Sequence, residues 1–217
     1  MKIVLASRNA KKIRELETLL AENTSMHIEV LSLDDIGYTD EIVEDGASFE
    51  ENAWIKASVP AALGYIGIAD DSGLTVDALD GAPGIYSARY AGEEANDAVN
   101  NQKLLTEMKD VPDADRGAAF VSVVACVFPE GYDVTVPEEW RVTKDGRDGF
   151  TVRGECRGTI LREGRGCDGF GYDPLFYVEE KKQTFAELSP GAKNAISHRG
   201  RAMRSFMSTF LSLFCEN

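Results

Sequence analysis

Long hydrophobic runs, histidine, paired cysteines and positive charge are all scarce in this chain, and each shortage excludes something. The longest apolar stretch, Ala118 to Phe128, is interrupted by Ser122 and falls well short of the roughly 20 apolar residues that a membrane helix needs. The apolar start, Ile3 to Ala6, is too short for a signal-peptide core and is followed by Arg8, Lys11 and Lys12, so the expected address is cytoplasmic, with no membrane partner. The four cysteines, Cys126, Cys156, Cys167 and Cys215, show no C-x-x-C spacing, and the two histidines, His27 and His198, are distant from them in sequence. That pattern supports neither a zinc site nor a disulfide framework, and reduced thiols are expected. Lysine and arginine number 23 against 37 acids, a net charge of −14. A nucleic-acid polymer is therefore an unsuitable partner, because such partners require basic patches.

What is present reads as a soluble globular α/β chain. Its 217 residues, 43% hydrophobic and 28% charged, suffice for one large domain or two intimately packed lobes, with no separately folding second domain. Lys2 to Ala6 reads as a buried strand, followed from Asn9 or Ala10 to Leu20 by a helix with Ile13, Leu16 and Leu20 on one face. Ser7 or Asn9 can cap it. A strand running into a helix N-terminus exposes backbone N–H groups and the positive end of the dipole. Lys11 and Lys12 in that first turn oppose the dipole unless an anion sits there, which suggests phosphate; the plainer alternative is solvated lysines.

Ile28 to Ser32 is a short strand and Leu33 to Thr39 a loop. Ser48-Phe-Glu-Glu51 is a capping box opening a helix that Pro60 should kink or end. Gly67 to Ala69 reads as a short buried strand delivering Asp70 and Asp71 into a turn at Ser72-Gly73, at the strand end where open α/β sheets keep their chemistry. If both acids were extended, they would point to opposite faces. The bland alternative is a surface turn with two solvated acids. Gly81-Ala-Pro-Gly84 is a rigid turn, and a structural ion pair suits Arg89 better than catalysis.

Further on, Asn96 or Asp97 caps a helix carrying Leu104, Leu105 and Met108, and Ala118 to Phe128 is a fully buried strand. Residues 132–149 are polar and read as a hairpin or loop insertion that carries no site. Phe150 to Arg162 resumes a strand pattern. The glycines of Gly164 to Gly169 fit neither the dinucleotide fingerprint nor the P-loop. Phe170-Gly-Tyr-Asp-Pro174 could offer an aromatic platform for a purine, although a core phenylalanine is the simpler reading. Ser189-Pro190 is a cap followed by a first-turn proline. The closing helix carries Met203, Phe206, Phe210 and Leu213 on one stripe, for core or dimer packing.

Ile68 to Gly92, together with Ser7-Arg-Asn-Ala-Lys-Lys12, Phe49-Glu-Glu-Asn-Ala, Phe170-Gly-Tyr-Asp-Pro and Lys193-Asn-Ala-Ile-Ser-His-Arg199, resembles the Ham1-like inosine triphosphate pyrophosphatase family over nearly the whole chain. The resemblance implies an ITPase-like α/β fold, a long twisted mixed sheet with flanking helices forming two lobes about a central cleft, and a homodimer. It implies hydrolysis of ITP, dITP and XTP to the monophosphate and pyrophosphate by Mg²⁺-assisted attack of water on the α-phosphorus. Glu44 and Asp71 would be the metal ligands, with Asp71 also the general base and Asp70 supporting the geometry; Mg²⁺ suits hard carboxylate oxygens. Lys12, Lys56 and Lys193 would stabilise phosphate charge. Substrate contacts are implied for Ser7, Arg8, Asn9, Ala10, Lys11, Lys12, Ser72, Phe170, Gly171, Tyr172, Asp173, Lys193, His198 and Arg199.

Donors from His198 and Arg199 would suit the acceptor oxygen at the 6-position of hypoxanthine and xanthine and strand the amine of adenine. Three other readings compete. A related house-cleaning pyrophosphatase with another base preference would keep the phosphate motifs, and a nucleotide-binding sensor would not need metal-positioning acids. A glycosidase would require its carboxylates about 5 Å or more apart and facing one bond, which adjacent residues rarely achieve.

Overall fold

The computed structural model describes Met1–Phe214; Cys215 lies outside the described residues. The chain alternates between strands and helices, as the periodicities predict. Strand β1 (Lys2–Leu5) leads into helix α1 (Ala10–Asn23), then β2 (Glu29–Leu31), α2 (Phe49–Ala62) and β3 (Ile66–Val76). Helix α3 (Asp97–Glu107) precedes β4 (Gly117–Val127), the hairpin β5 (Arg141–Lys144) and β6 (Arg147–Ile160), the short strands β7 (Phe176–Val178) and β8 (Gln183–Thr184), and helices α4 (Pro190–Ile196) and α5 (His198–Ser212).

The strands form one mixed, eight-stranded sheet in the order β2-β1-β3-β4-β6-β7-β8, with β5 added on β6. Pairing of β1 with β2 and β3 is parallel, whereas β5–β6, β6–β7 and β7–β8 are antiparallel. The fold class is thus α/β with a mixed open sheet. The described residues divide into two compact units: residues 1–71, 123–153 and 202–214 make one, and residues 72–122 and 154–201 the other.

Each unit has its own core. In the first, Ile3, Leu16, Leu20 and Ile68 pack with Phe128, Phe150, Phe206 and Phe210. The stripe on α5 is therefore core, with Phe206 and Phe210 fully buried. In the second, Leu74, Val76 and Leu104 pack with Phe120, Phe176 and Phe185. Burial of such aromatic side chains dominates the stability of both cores. Gly67 lets β3 approach α2: a Cβ there would sit 1.9 Å from the Ala57 carbonyl oxygen.

The local signals hold with informative exceptions. Asn9, Ser48, Asn96 and Ser189 are the N-caps of α1, α2, α3 and α4, each accepting a backbone N–H bond. Glu51 of the expected capping box reaches back to the Ala47 N–H at 2.7 Å rather than to that of Ser48. Pro60 stands in the last turn of α2, which closes at Ala62. Residues 141–150 form a hairpin whose two loop residues, Asp145 and Gly146, both have positive φ, as a tight primed turn requires.

One expectation fails. Asp70-Asp71-Ser72-Gly73 is not a turn at the end of a short strand. It lies within the unbroken β3, and Gly73 has no positive φ. The reason lies just beyond it: Leu74 and Val76 are fully buried, and keeping both in the core requires the strand to stay extended through the acids.

Candidate active site

In the first unit, the segment from β1 to α1 is organised by its own polar side chains. Ser7 Oγ accepts from the Asn9 N–H at 3.1 Å, and Asn9 Oδ1 accepts from the Lys11 N–H at 2.9 Å. Ala10 and Lys11 are exposed. Lys12 turns inward, its Nζ donating to both carboxylate oxygens of Asp70 at 2.7 and 2.9 Å. Arg8 faces elsewhere: its guanidinium binds the Asp34 carboxylate at 3.1 Å and the carbonyls of Tyr38 and Asp40 at 2.9 and 3.1 Å. Its side chain thus ties the following loop to this segment.

Because β3 is extended at both acids, Asp70 and Asp71 take different partners, as alternation demands. Asp71 Oδ1 lies 3.3 Å from Lys56 Nζ, which also donates to Glu44 Oε2 at 2.7 Å. Lys56 and Asp71 are well sheltered, with side chains 13% and 15% exposed. Burial raises the Asp71 carboxyl above its ordinary range; Lys56 opposes this and the Glu44 charge adds to it. Asn52, 2% exposed, also favours the Asp71 carboxylate, while its Oδ1 accepts from the Gly46 N–H at 2.9 Å. It thereby steadies the loop that carries Glu44. Sequence reasoning attached no role to Asn52; the signal available was an amide among the apolar residues of the helix's buried face.

The arrangement fits a hard divalent cation. Asp71 Oδ2 is buried without a hydrogen-bond donor, and a second carboxylate, Glu44, shares the same lysine. Among the described residues, no three His, Cys, Asp or Glu gather as a metal cluster. A pair of carboxylates matches an ion that keeps waters and shares substrate phosphates, and it is not a zinc cage.

In the second unit, the Phe170 loop is the other concentration of predicted residues. Phe170 is 64% exposed, so it is not the core phenylalanine of the simpler reading. Asp173, 2% exposed, accepts from the Phe170 N–H at 2.9 Å and from Lys193. Gly169 has φ +84°, and a Cβ on it would lie 2.1 Å from Asp173 Oδ2. Lys193 Nζ stands 4.9 Å from the centre of the Phe170 ring and 5.3 Å from that of Phe185. Lys193 therefore shares its surroundings with the aromatic platform.

Tyr172 is buried and its hydroxyl donates to the Ser87 carbonyl at 2.9 Å; burial and the neighbouring Tyr90 keep that hydroxyl protonated. Ser87 in turn accepts from the Leu74 N–H at 2.8 Å. His198, the first residue of α5, is 7% exposed and stacks on Phe120 with ring centres 4.8 Å apart. Arg199 is half-buried beside it, and Ser72 is half-buried in β3. An open depression along α3, lined by Ala98, Val99 and Gln102, is one face of a single helix and contains none of these groups.

Residues 3–209 match the model of the Ham1 family. A dITP/XTP pyrophosphatase of Geobacter sulfurreducens is 48% identical over 203 residues, covering 93% of this chain and 92% of that protein. Among solved structures, a HAM1 protein from Coxiella burnetii is 40% identical with a TM-score of 0.84, over 98% of this chain and 99% of the other. A nucleoside-triphosphatase / dITP/XTP pyrophosphatase from Mycobacterium abscessus is 44% identical with a TM-score of 0.78, over 95% and 98%.

Proposed function

The chain belongs to the Ham1 family, and from that premise we propose that it hydrolyses non-canonical purine nucleoside triphosphates, dITP, XTP and ITP, to the monophosphate and pyrophosphate. The observation that carries the chemistry is the sheltered Lys56 and Asp71, joined by the more open Glu44, next in the chain to the Lys12–Asp70 pair. A mere nucleotide binder gains little from two carboxylates held next to phosphate-binding lysines.

In this reading water attacks the α-phosphorus, the bond from that phosphorus to the α–β bridging oxygen breaks, and pyrophosphate leaves with the electron pair. Asp71 accepts the proton of the attacking water. Without a cation beside it, burial holds its carboxyl above the ordinary range, and a cation bound there would offset that rise. Asp70 anchors Lys12, and Lys12 and Lys56 offset charge on the phosphates as it shifts to the leaving group. Mg²⁺ bound by Glu44 and Asp71 would supply further charge neutralisation and orient the phosphates.

Phe170 would stack on the base. Lys193, placed with Phe170 and Asp173, belongs in this reading with the base rather than with the phosphates. His198 and Arg199 would serve the 6-oxo group. By resemblance alone, the chain is also proposed to be a homodimer.

Product analysis with Mg²⁺ and dITP, XTP, ITP, GTP, ATP or dUTP tests the reading, with pyrophosphate scored separately from orthophosphate. Pyrophosphate from the non-standard purines is expected, with loss of roughly 10²–10⁴-fold or more in Asp71→Asn, the range for removal of a general base. Orthophosphate as the primary product would overturn the mechanism. Tight nucleotide binding without turnover would point to a sensor.

A further inference from the structure

Phe170 presents an exposed aromatic ring on a loop whose backbone is held unusually firmly. Asp173 caps the Phe170 N–H from below, and the next peptide group is gripped from a different element. Asp97, in the first turn of α3, accepts from the Gly171 N–H at 2.6 Å. Asn101, one turn further along the same helix, donates from Nδ2 to the Gly171 carbonyl at 2.9 Å. Residues four apart on a helix lie one above the other, so one face of α3 satisfies both the N–H and the C=O of a single residue. Gly171 needs such restraint: its φ is +62°, and a Cβ there would meet nothing within 4 Å. The glycine is thus required by conformation rather than by crowding, and nothing else packs against that side of it.

We infer that Asp97 and Asn101 are positioning residues that fix Gly171, and through it the Phe170 ring, in the orientation that receives a purine base. The inference rests on the proposed function for the identity of the ligand, and on these hydrogen bonds for the device. A stacking platform contributes most when its geometry is set before the ligand arrives, because the ordering cost is then not charged against binding. Phe170 is 64% exposed and meets Lys193 Nζ across its ring, so the place of the ring is set mainly by the backbone that carries it. The purely structural alternative makes Asp97 an ordinary first-turn acid that favours the helix dipole. That alternative predicts a change in stability and none in base affinity.

The test is calorimetric titration of the full chain with inosine 5′-monophosphate and, separately, with inorganic pyrophosphate. Asp97→Ala, Asp97→Asn and Asn101→Ala are compared with Gln102→Ala, a neighbouring exposed position on α3, as control. Asp97→Ala and Asn101→Ala are each expected to weaken the monophosphate about tenfold while leaving pyrophosphate within about twofold, the size of a lost hydrogen bond to a charged or well-placed partner. Asp97→Asn, which keeps an acceptor oxygen, should recover part of the loss. The double variant should cost less than the sum, because both residues hold one glycine. Amide exchange at Gly171 should accelerate in Asp97→Ala.

Unchanged monophosphate affinity in both alanine variants would overturn the inference, as would an equal loss for pyrophosphate. Thermal midpoints show which variants fold, and Asn101→Ala, which leaves the helix cap and dipole untouched, keeps the test decisive if Asp97→Ala does not. Failure of the functional reading is separable: absence of pyrophosphate release from dITP would remove the reaction while the titration still reports the clamp. A wild-type chain that binds no monophosphate would defeat the clamp itself.

Discussion

The two concentrations of candidate site residues are built on different physics. Around β3 the first unit gathers charge: two lysines pair with three carboxylates, and burial makes one of those carboxylates reluctant to ionise. Around Phe170 the second unit gathers geometry: a glycine-flanked loop is held by Asp173, Asp97 and Asn101 so that an apolar ring faces solvent. Lysines beside carboxylates, with or without a cation, can meet any polyphosphate and tell substrates apart poorly. A rigid aromatic platform tells bases from non-bases and does nothing to a phosphoanhydride. On the proposed function, chemistry and recognition fall to separate sets of residues, and each set can be perturbed while the other is read.

The largest separation should come from Phe170→Ala set against Lys12→Gln. Base–aromatic stacking is worth about 1–3 kcal/mol, so removal of the ring should raise KM for dITP roughly five- to 150-fold with kcat much less affected. Lys12→Gln should reduce kcat and kcat/KM together, because that charge acts as the phosphates reorganise. Steady-state pyrophosphate release measures both. Identical kcat and KM patterns in the two variants would break the division.

A smaller effect tests the electrostatic half alone. In chelator-treated protein, the Asp71 carboxyl followed by carbon NMR should titrate above the ordinary aspartate range, since burial raises it. Lys56→Met removes the cation that opposes this and should move the titration higher. Glu44→Gln removes a like charge and should move it lower. The same two substitutions should leave the amide exchange of Gly171 unchanged. Shifts of the same sign in both variants would show that the cluster is not governed by pairwise charge.

Much of this was legible in the sequence, and the parts that were not share a cause. The caps Ser48 and Ser189 were readable, and Asn9 and Asn96 each as one of two neighbouring candidates, because a cap is a local event: a side-chain oxygen meets an N–H two or three residues on. The buried β4 and the stripe on α5 were readable from their apolar pattern. The turn at Ser72-Gly73 was misread because serine and glycine favour bends locally, while burial of Leu74 and Val76 overrides that preference. Glu44 and Lys56 were singled out only through the family's motifs, since position alone reads them as surface charges, whereas Lys12 and Asp71 were marked also by a helix start and a strand end. Asp97 and Asn101 could not be found at all, because their partner, Gly171, lies 74 and 70 residues away in the chain. A helix cap looks the same whether or not its next turn grips a distant loop.

The smallest predicted effect is also the most counterintuitive, because it runs opposite to activity. Asp71 has a folded-state pKa raised above its unfolded value of 3.8. The folded chain therefore binds that proton more tightly than the unfolded chain does. The resulting stability is fully present below the unfolded pKa and is lost as pH rises through the folded one. At neutral pH the ionised carboxylate is thus a net cost to folding, and Asp71→Asn, which mimics the protonated form without its charge, removes the cost. In chelator, where no cation can stabilise the carboxylate, the variant should melt higher than wild type at pH 7. A gain on the order of 1 kcal/mol corresponds to about 2–4 °C for a chain of this size. The difference should shrink toward zero as the pH is lowered to the ordinary aspartate range, where wild type carries the proton as well. A variant that melts lower than wild type at pH 7 would mean that the Lys56–Asp71 pair outweighs the burial of the acid. The first unit would then be a structural ion-pair network, and the contrast with the Phe170 loop would lose its basis.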